Sequence, residues 1–265
     1  MDRFILRIIT LFLLAILSLS SCDKEEIEYL IEVDDVCSVM DDQVFIDYCL
    51  REFDLDHDGK VSMQEAAQVK IIEIRYENEL KSLKGLEYFK NLSYITIHEG
   101  NIPYLDLSHN LGLSMVEIGN NQITRLNVTK NLALKYLSCP NNQLTNLDIS
   151  NNKALDELLC SNNQITKIDV SKNTALSRLW CSSNKLTKLD VSRNPNLNDL
   201  SCTNNKLKYL DVSENSLLGT LCCGFQEETI TVYYSNGQPI IEWSRKPISY
   251  QDQSYFNKNV KWVLK

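Results

Sequence analysis

Apolar and polar residues recur along this chain at every twenty-first position. Three columns in register are Leu105, Leu126, Leu147, Ile168, Leu189, Leu210; Asn110, Asn131, Asn152, Asn173, Asn194, Asn215; and Leu113, Leu134, Leu155, Leu176, Leu197, Leu218. Two more are Val116, Leu137, Leu158, Leu179, Leu200, Leu221; and Asn121, Asn142, Asn163, Asn184, Asn205. A period of this length indicates a solenoid, because one unit is too small to bury its own leucines and must stack on its neighbours.

The most regular part of each repeat predicts a short strand. Alternation directs Leu179 and Cys181 inward and Arg178 and Trp180 outward. The asparagines suit a left-handed bend after the strand and can hydrogen-bond the backbone of neighbouring coils. A coil this short has little room for a helix, so we expect extended or short 3₁₀ segments on the opposite side.

The repeat LSRLWCSSNKLTKLDVSRNPN at 176–196 resembles a leucine-rich repeat of the short bacterial kind, and the match covers about 71–223. Upstream, ENELKSLKGLEYFKNL resembles the first repeat of internalin-like proteins. The implied fold is a leucine-rich-repeat solenoid with parallel β-strands on its concave side and an extended or 3₁₀ convex side. Steps of the same period extend the register back to Leu92, Ile95 and Ile97, and then to Ile71, Ile74 and Tyr76.

The C-terminal segment 224–265 departs from the repeat and is predicted to be a β-rich cap. TITVYYSNGQPIIEW alternates around an Asn-Gly pair, which indicates a hairpin. The aromatic side chains there, including Trp243 and Trp262, are expected to form the core of the cap.

Five cysteines form another inward column with the same spacing: Cys139, Cys160, Cys181, Cys202, Cys223. Neighbouring strands lie about 4.8 Å apart, whereas a disulfide requires converging Cβ atoms about 3.8 Å apart. We therefore expect a ladder of buried free thiols. Alternation directs Cys222 outward as a candidate reactive thiol, and a bridge between Cys37 and Cys49 stays open.

Residues 54–65 match the calcium-loop pattern D-x-[DN]-x-[DN]-G-x₅-E and therefore resemble an EF-hand. The candidate ligands are Asp54, Asp56, Asp58, the Lys60 carbonyl, Ser62 and a bidentate Glu65. Calcium prefers six to eight oxygen ligands, and these residues supply oxygens and negative charge. The cofactor expected from this resemblance is Ca²⁺. The alternative is an acidic surface loop without an ion.

The segments on both sides of the loop are predicted to be helical, DDQVFIDYCLREF before it and MQEAAQVKIIEI after it. EF-hands usually pair, and the sequence contains no second loop. The apolar face of a single hand must then rest on the first leucine-rich coil. We interpret 41–75 as an N-terminal cap stabilised by calcium, followed by repeats at 76–223.

The first residues predict an export signal rather than part of the fold. Arg3 and Arg7 precede the apolar run IITLFLLAILSL, which ends at LSSC. This resembles a lipobox, with 1–21 as the signal peptide and Cys22 as the lipidated anchor; an ordinary secretory signal is the alternative. Residues 22–40 would form an acidic tether. The resemblance implies attachment to the membrane of a bacterial cell envelope, at the outer membrane or cell surface.

The charge distribution excludes a nucleic-acid-binding surface. The chain carries a net charge of −8, and the segment 23–65 holds 15 acids against three bases. The rest is nearly neutral and has no basic stripe. The three histidines lie in separate predicted elements and no nucleophile has a base at a recognisable spacing, so we do not expect an enzyme.

The outward positions of the predicted sheet are the candidate ligand-binding residues. Leu159 and Trp180 are adjacent in one outward column, with Tyr136 and Arg178 beside them. An apolar patch of this kind suits a protein or glycan ligand, although an ordinary exposed sheet would look the same. The function predicted is a monomeric, lipid-anchored binding protein; a structural scaffold of the envelope is the alternative.

Overall fold

The computed structural model describes residues 34–224, 230–235 and 260–264. Its helices are short and lie near the N-terminus of this part: a 3₁₀ turn at Val36–Val39, α1 at Gln43–Phe53, α2 at Met63–Ala66 and a second 3₁₀ turn at Leu86–Tyr88. In the described residues no helix is long and apolar enough to cross a bilayer. The predicted signal segment and Cys22 lie outside these residues.

The main element is an eight-stranded parallel sheet. Its strands, in order across the sheet, are β1 (Ile71–Arg75), β2 (Tyr94–His98), β4 (Met115–Glu117), β6 (Tyr136–Ser138), β7 (Glu157–Leu159), β8 (Arg178–Trp180), β9 (Asp199–Ser201) and β11 (Thr220–Cys222). From β2 onward, paired residues are one sequence period apart, as in Leu158 beside Leu179. This confirms the period and the parallel sheet predicted from it.

The first step of the sheet is longer than predicted. Ile72 pairs with Ile95 and Ile74 with Ile97, so these partners are two positions further apart in sequence than those of the later coils. The regular step that aligned Ile71 and Tyr76 with inward positions is therefore wrong; Tyr76 is 73 % exposed. The longer connection between β1 and β2 contains the 3₁₀ turn at Leu86–Tyr88. Because β1 belongs to the sheet, the repeats begin before residue 76.

Further short strands form two other ladders. β3 (Tyr104–Asp106) pairs with β5 (Arg125–Asn127), and β12 (Ile230–Tyr234) lies between β10 (Tyr209–Asp211) and β13 (Val260–Leu264). All of these pairs are parallel. Both edges of β12 are thus occupied by parallel partners, which contradicts the hairpin predicted there. Trp243 and the rest of 236–259 lie outside the described residues.

One continuous apolar core runs through the coils. From β6 onward each coil places a leucine of its strand inward, as at Leu158, Leu179 and Leu200, and these side chains have no measurable exposure. Burying one leucine side chain is worth about 1.5–3 kcal/mol, and each coil shares its leucines with both neighbours. The sequence columns therefore mark the residues that hold the solenoid together.

The two asparagine columns connect consecutive coils. In the first, Asn152 Nδ2 donates to the carbonyls of Val128 and Asn131, both at 2.9 Å. In the second, Asn163 Nδ2 donates to the carbonyls of Cys139 and Cys160, and its Oδ1 accepts from the Leu144 amide. The residues before the second column have left-handed backbones, with φ between 53° and 57° at Asn120, Asn141, Asn162, Ser183, Asn204. Asparagine tolerates this conformation better than most residues do.

The cysteine column is a ladder of buried free thiols, as predicted. Burial raises the pKa of Cys160 to about 12 and raises those of Cys139, Cys181 and Cys202 as well. Protonated thiols of this kind are poor nucleophiles, so the ladder serves as core. Cys37 and Cys49 are also separate buried thiols rather than a disulfide.

The N-terminal cap packs on the first coil through aromatic contacts. The rings of Phe45 and Phe53 lie 6.4 Å and 5.6 Å from that of Phe89, measured between centroids. The Tyr48 hydroxyl accepts a hydrogen bond from the Glu73 amide at 3.0 Å. Since β1 is an edge of the sheet, α1 both covers the first coil and satisfies an amide of that edge. This agrees with the prediction that the apolar face of the N-terminal cap rests on the first coil.

Asp42 fixes the start of α1 to the first coil. Its Oδ1 accepts from the amides of Val44 and Phe45 and caps the helix. Its Oδ2 accepts from the amides of Lys81 and Ser82 at 2.7 and 3.1 Å. One carboxylate therefore satisfies four amides on two segments that are far apart in sequence.

Candidate calcium loop and sheet face

The structure brings together three of the predicted calcium ligands. Asp54, Asp56 and Asp58 each place a carboxylate oxygen within 4.8 Å of the other two. Asp54 is the C-terminal cap residue of α1 and is nearly buried, whereas Asp56 and Asp58 are exposed. This is the only such group of metal-ligating side chains in the part of the chain that the structure describes.

Amide donors hold the loop around these carboxylates. The Gly59 amide donates to Asp54 Oδ2 at 3.0 Å, and the Lys60 amide donates to Asp58 Oδ1 at 2.9 Å. Gly59 has φ of +84°, which only glycine adopts without cost. The loop is thus closed by its own backbone. Three carboxylates nevertheless lie side by side, and no basic side chain among the described residues forms an ion pair with them.

Glu65 is arranged differently from the three aspartates. Its Oε1 accepts from the Leu55 amide at 2.7 Å, and its Oε2 accepts from the Ser62 amide and hydroxyl, both at 2.8 Å. Ser62 and Glu65 form a capping box at the start of α2. The hydrogen bond from the Ser62 amide is the main cause that lowers the pKa of Glu65. The carboxylate is therefore ionised and lies at the loop, where it holds the first and last parts of the loop together.

The donor set fits a hard divalent cation. Three aspartates at alternate positions, a glycine with positive φ and an ionised glutamate at the end of the loop match the oxygen chemistry that calcium prefers. Two predicted ligands, Lys60 and Ser62, lie in the same loop. Ser62 uses its side chain to cap α2.

The loop makes a β-type contact with the segment before α1. The Val36 amide donates to the Val61 carbonyl at 2.8 Å, and the Val61 amide donates to Asp35 Oδ1 at 3.2 Å. Val36 is fully buried. The end of the predicted tether at 22–40 is therefore part of the cap, which corrects that boundary.

The predicted helix after the loop is also shorter than expected. α2 ends at Ala66, and β1 begins at Ile71. Ile72 and Ile74 alternate with exposed residues, and this period favours a strand over a helix.

The outward side chains of the eight-stranded sheet form a surface that we call the sheet face. On β8, Arg178 lies between Glu157 on β7 and Asp199 on β9; its guanidinium nitrogens are 2.5 and 3.3 Å from their carboxylate oxygens. The Arg178 guanidinium also lies 5.4 Å from the centre of the Trp180 ring. Two of the predicted ligand-binding residues, Arg178 and Trp180, are thus in contact, and the two ion pairs fix the position of Arg178. A third, Leu159, is paired with Trp180 in the strand register.

Some outward positions are less accessible than alternation predicts. Thr96 and Ser138 are buried, because each is covered by the tyrosine two positions earlier on its strand. Thr96 is hydrogen-bonded to Tyr94, and Ser138 is hydrogen-bonded to Tyr136. Cys222 is only 8 % exposed, so the prediction of an accessible thiol there is wrong.

Sequence reasoning missed the part of the sheet face on β1. Ile71 and Glu73 are exposed on β1, beside Tyr94 and Thr96 on β2. The assumed regular step hid them, although the alternation of Ile72 and Ile74 was a usable signal. His98 lies 3.5 Å from Glu117 on the next strand, a contact that sequence spacing did not reveal.

Comparison with known proteins supports this architecture. A family model described as leucine-rich repeats, two copies, matches residues 153–194. The fold is a leucine-rich-repeat solenoid. No curated protein sequence matches the chain.

Among solved structures, the solenoid is similar to internalin C2 of Listeria monocytogenes, with a TM-score of 0.61 and 16% identity over 89% of this chain and 99% of that one. A leucine-rich-repeat protein of Leptospira interrogans gives 0.51 and 16% over 77% and 63%. The functional domain of InlJ from Listeria monocytogenes, described as including a cysteine ladder, gives 0.38 and 24% over 79% and 60%. The chain thus spans less than two thirds of the last two structures.

Proposed function

We propose that the chain is a non-enzymatic binding protein of the bacterial cell envelope, which holds a protein or glycan ligand on the sheet face. The observation that carries this proposal is the composition of that face. Tyr136, Leu159 and Trp180 occupy neighbouring outward positions on consecutive strands, yet the inward columns alone build the core. Large apolar side chains on a rigid parallel sheet are typical of binding surfaces.

Placing a charge in the middle of this face should abolish ligand binding. We expect Leu159→Arg to eliminate binding to any partner found on an array of envelope proteins, host proteins and glycans, because the new cation disrupts the apolar surface around Trp180. The matched control is Leu132→Arg, since Leu132 is an exposed leucine in the turn before β6 and outside the sheet. Equal loss in both variants, or loss in neither, would contradict the proposal. An array without any partner would favour the structural scaffold.

We also propose that Ca²⁺ binds among Asp54, Asp56, Asp58, the Lys60 carbonyl, Ser62 and Glu65, and that it stabilises the cap. The ion would cancel the charge of the three grouped aspartates, which repel one another without it. The cap holds α1 on the first coil through Phe45 and Asp42, so stabilising the loop stabilises that end of the solenoid. This is a structural role for calcium.

Calcium should raise the melting temperature of the full chain, and a chelator should lower it. At a free concentration of about 100 times Kd the gain is about 2.7 kcal/mol. Asp56→Asn should remove most of the shift, because it keeps an oxygen to accept from the Asp58 amide but removes one ligand charge. Differential scanning fluorimetry with calcium, magnesium or chelator measures this effect. Asp41→Asn, an exposed aspartate outside the loop, serves as the control. A melting temperature indifferent to calcium would refute the site.

We further propose that Cys22 is acylated and anchors the protein in the outer membrane or at the cell surface. The support is Arg3 and Arg7, the apolar run and LSSC. Cells fed a fatty-acid analogue should label the wild type and the Cys222→Ser control, but not Cys22→Ser. Label on the Cys22→Ser variant would exclude this anchor.

A further inference from the structure

The sheet face carries a continuous apolar stripe that crosses six adjacent strands. The strand register places Ile71 beside Tyr94, Tyr94 beside Met115, and Met115 beside Tyr136. The stripe then moves to the next outward column, where Leu159 lies beside Trp180. At about 4.8 Å per strand its length is about 24 Å. We call Ile71, Tyr94, Met115, Tyr136, Leu159 and Trp180 the apolar stripe.

The tyrosines of the stripe are half-buried and use their hydroxyls within the sheet. Thr96 Oγ1 donates to the Tyr94 hydroxyl, and the Tyr136 hydroxyl is hydrogen-bonded to Ser138 on its own strand. These hydroxyls therefore already have partners within the sheet. Ile71 is 52 % exposed and Met115 is 39 % exposed, whereas Leu159 is half-buried.

Carboxylates border the stripe on both sides. Glu73 and Glu117 lie one outward position after Ile71 and Met115 on the same strands, and Glu157 lies one outward position before Leu159. Asp199 extends the second border on β9. The charges along this face of the described sheet are thus four carboxylates against two arginines and the His98 imidazole.

The arginines do not cancel this acidic character. Arg178 is bonded to both Glu157 and Asp199, and this group of three residues keeps one excess negative charge. Arg75 lies at the end of β1, beyond Glu73. His98 contacts Glu117 at 3.5 Å. A ligand that approaches the stripe therefore meets a net negative border.

We propose that the apolar stripe binds a polypeptide segment that is both apolar and basic. This inference rests on the proposed function of the sheet face and specifies its ligand. The segment places leucine-like or aromatic side chains on the stripe, and its lysines or arginines lie against Glu73, Glu117 and the excess charge beside Arg178. Complementary charge at the border raises the association rate and selects against acidic partners.

The same features disfavour a neutral glycan. Five of the six stripe residues lack a free polar group on an aromatic ring: Ile71, Met115 and Leu159 are aliphatic, and the hydroxyls of Tyr94 and Tyr136 are hydrogen-bonded. Aliphatic side chains gain most from other apolar side chains, which a polypeptide supplies. Acidic polymers such as nucleic acid would meet repulsion at both borders.

The test uses the full chain and labelled synthetic peptides of about 14 residues, long enough to cover the stripe in an extended conformation. Two peptides contain equal numbers of leucine and lysine, one in alternating order and one in helical order. Two further peptides serve as controls: serine replaces leucine in one, and glutamate replaces lysine in the other. Fluorescence anisotropy at physiological salt should give micromolar binding for a leucine–lysine peptide and at least about tenfold weaker binding for the other two.

Matched variants show where the peptide binds. Met115→Ser with Leu159→Ser should weaken binding about tenfold, whereas Leu111→Ser with Leu132→Ser, two exposed leucines outside the sheet, should not. Glu73→Gln with Glu117→Gln should weaken binding and flatten its salt dependence. Glu79→Gln with Glu214→Gln removes the same charge from exposed positions outside the sheet and should change nothing. Melting temperatures confirm that all variants are folded.

The outcomes separate this inference from the proposed function. Equal binding of the leucine–lysine and serine–lysine peptides would overturn the inference, because charge alone would then explain it. Stronger binding of the glutamate peptide would also overturn it. So would a neutral glycan that binds the wild type but does not bind the Leu159→Arg variant. Both results would leave the sheet face as a binding surface. Peptide binding that all sheet-face and control variants leave unchanged would count against both.

Discussion

Raising the pH from about 8 to about 10 is expected to lower the free energy of unfolding by several kcal/mol, on the order of 1 kcal/mol for each buried thiol. Six cysteines have a raised pKa because of burial: Cys37, Cys49, Cys139, Cys160, Cys181, Cys202. Burial raises the pKa from its ordinary 9.0 to about 11 in Cys37 and to about 12 in Cys160. A loss of this size is comparable with the whole stability of many domains.

The direction follows from proton binding in the two states. Below pH 9 the thiols are protonated in the folded and the unfolded chain, so their contribution to stability is fully present. Above pH 9 the unfolded chain releases protons that the folded chain retains, so stability falls as the pH rises. The decline continues until the folded thiols themselves ionise, with a pKa of about 11 for Cys37.

Urea unfolding at pH 8, 9 and 10 with a reductant measures this slope. Cys181→Ala should reduce the slope by about one proton, since it removes one titrating thiol from the unfolded chain. Leu179→Ala, two positions earlier and also fully buried, should cost about 2–5 kcal/mol at every pH without changing the slope. If Cys181→Ala, like Leu179→Ala, kept the slope of the wild type, the ladder would not be the cause of alkaline unfolding.

The second large effect is expected from a charge in the first asparagine column. Asn152→Asp should lower the free energy of unfolding by about 3–5 kcal/mol near neutral pH. The Asn152 amide donates to the buried carbonyls of Val128 and Asn131, and its Oδ1 has no hydrogen-bond partner among the described residues. An aspartate would place an acceptor oxygen against two carbonyl oxygens. The protonated acid can donate one bond, so the penalty should shrink as the pH falls.

The neighbouring residue provides a matched control. Asn151 is exposed and donates to the Thr129 carbonyl at 3.1 Å, so Asn151→Asp should change stability by less than about 1 kcal/mol. Asn152→Ala should cost about 2 kcal/mol, because each carbonyl keeps its backbone donor, from Asn131 or Leu134 respectively. Equal stability of the two aspartate variants would show that the column does not hold the coils together.

The regular part of the fold follows from the sequence because one constraint repeats in every coil. Leu158, Leu179 and Leu200 face the same environment, so a single inference about one residue holds for all of them. The cysteine ladder follows for the same reason, since strand spacing alone excludes disulfides within it. Asp54, Asp56 and Asp58 were predictable as a group because their spacing encodes the loop.

The ends of the solenoid did not follow, because there each contact occurs only once. No period predicts that Asp35 and Val36 contact Val61, or that Asp42 accepts hydrogen bonds from the amides of Lys81 and Ser82. The longer first step, from β1 to β2, depends on the length of one connection. The sequence also did not predict the direction of some side chains. Tyr94 and Tyr136 lie along their strands and cover Thr96 and Ser138, which alternation places on the exposed face.

The Tyr48 hydroxyl on the Glu73 amide has a consequence for self-association. A parallel ladder of near-identical coils could in principle accept a strand from another copy of the chain at its first edge, and growth of that kind leads to fibres. With that amide already satisfied by Tyr48, a foreign strand finds no donor at this point of β1. The same tyrosine that completes the cap therefore also occupies a donor that an edge-to-edge contact between copies would need.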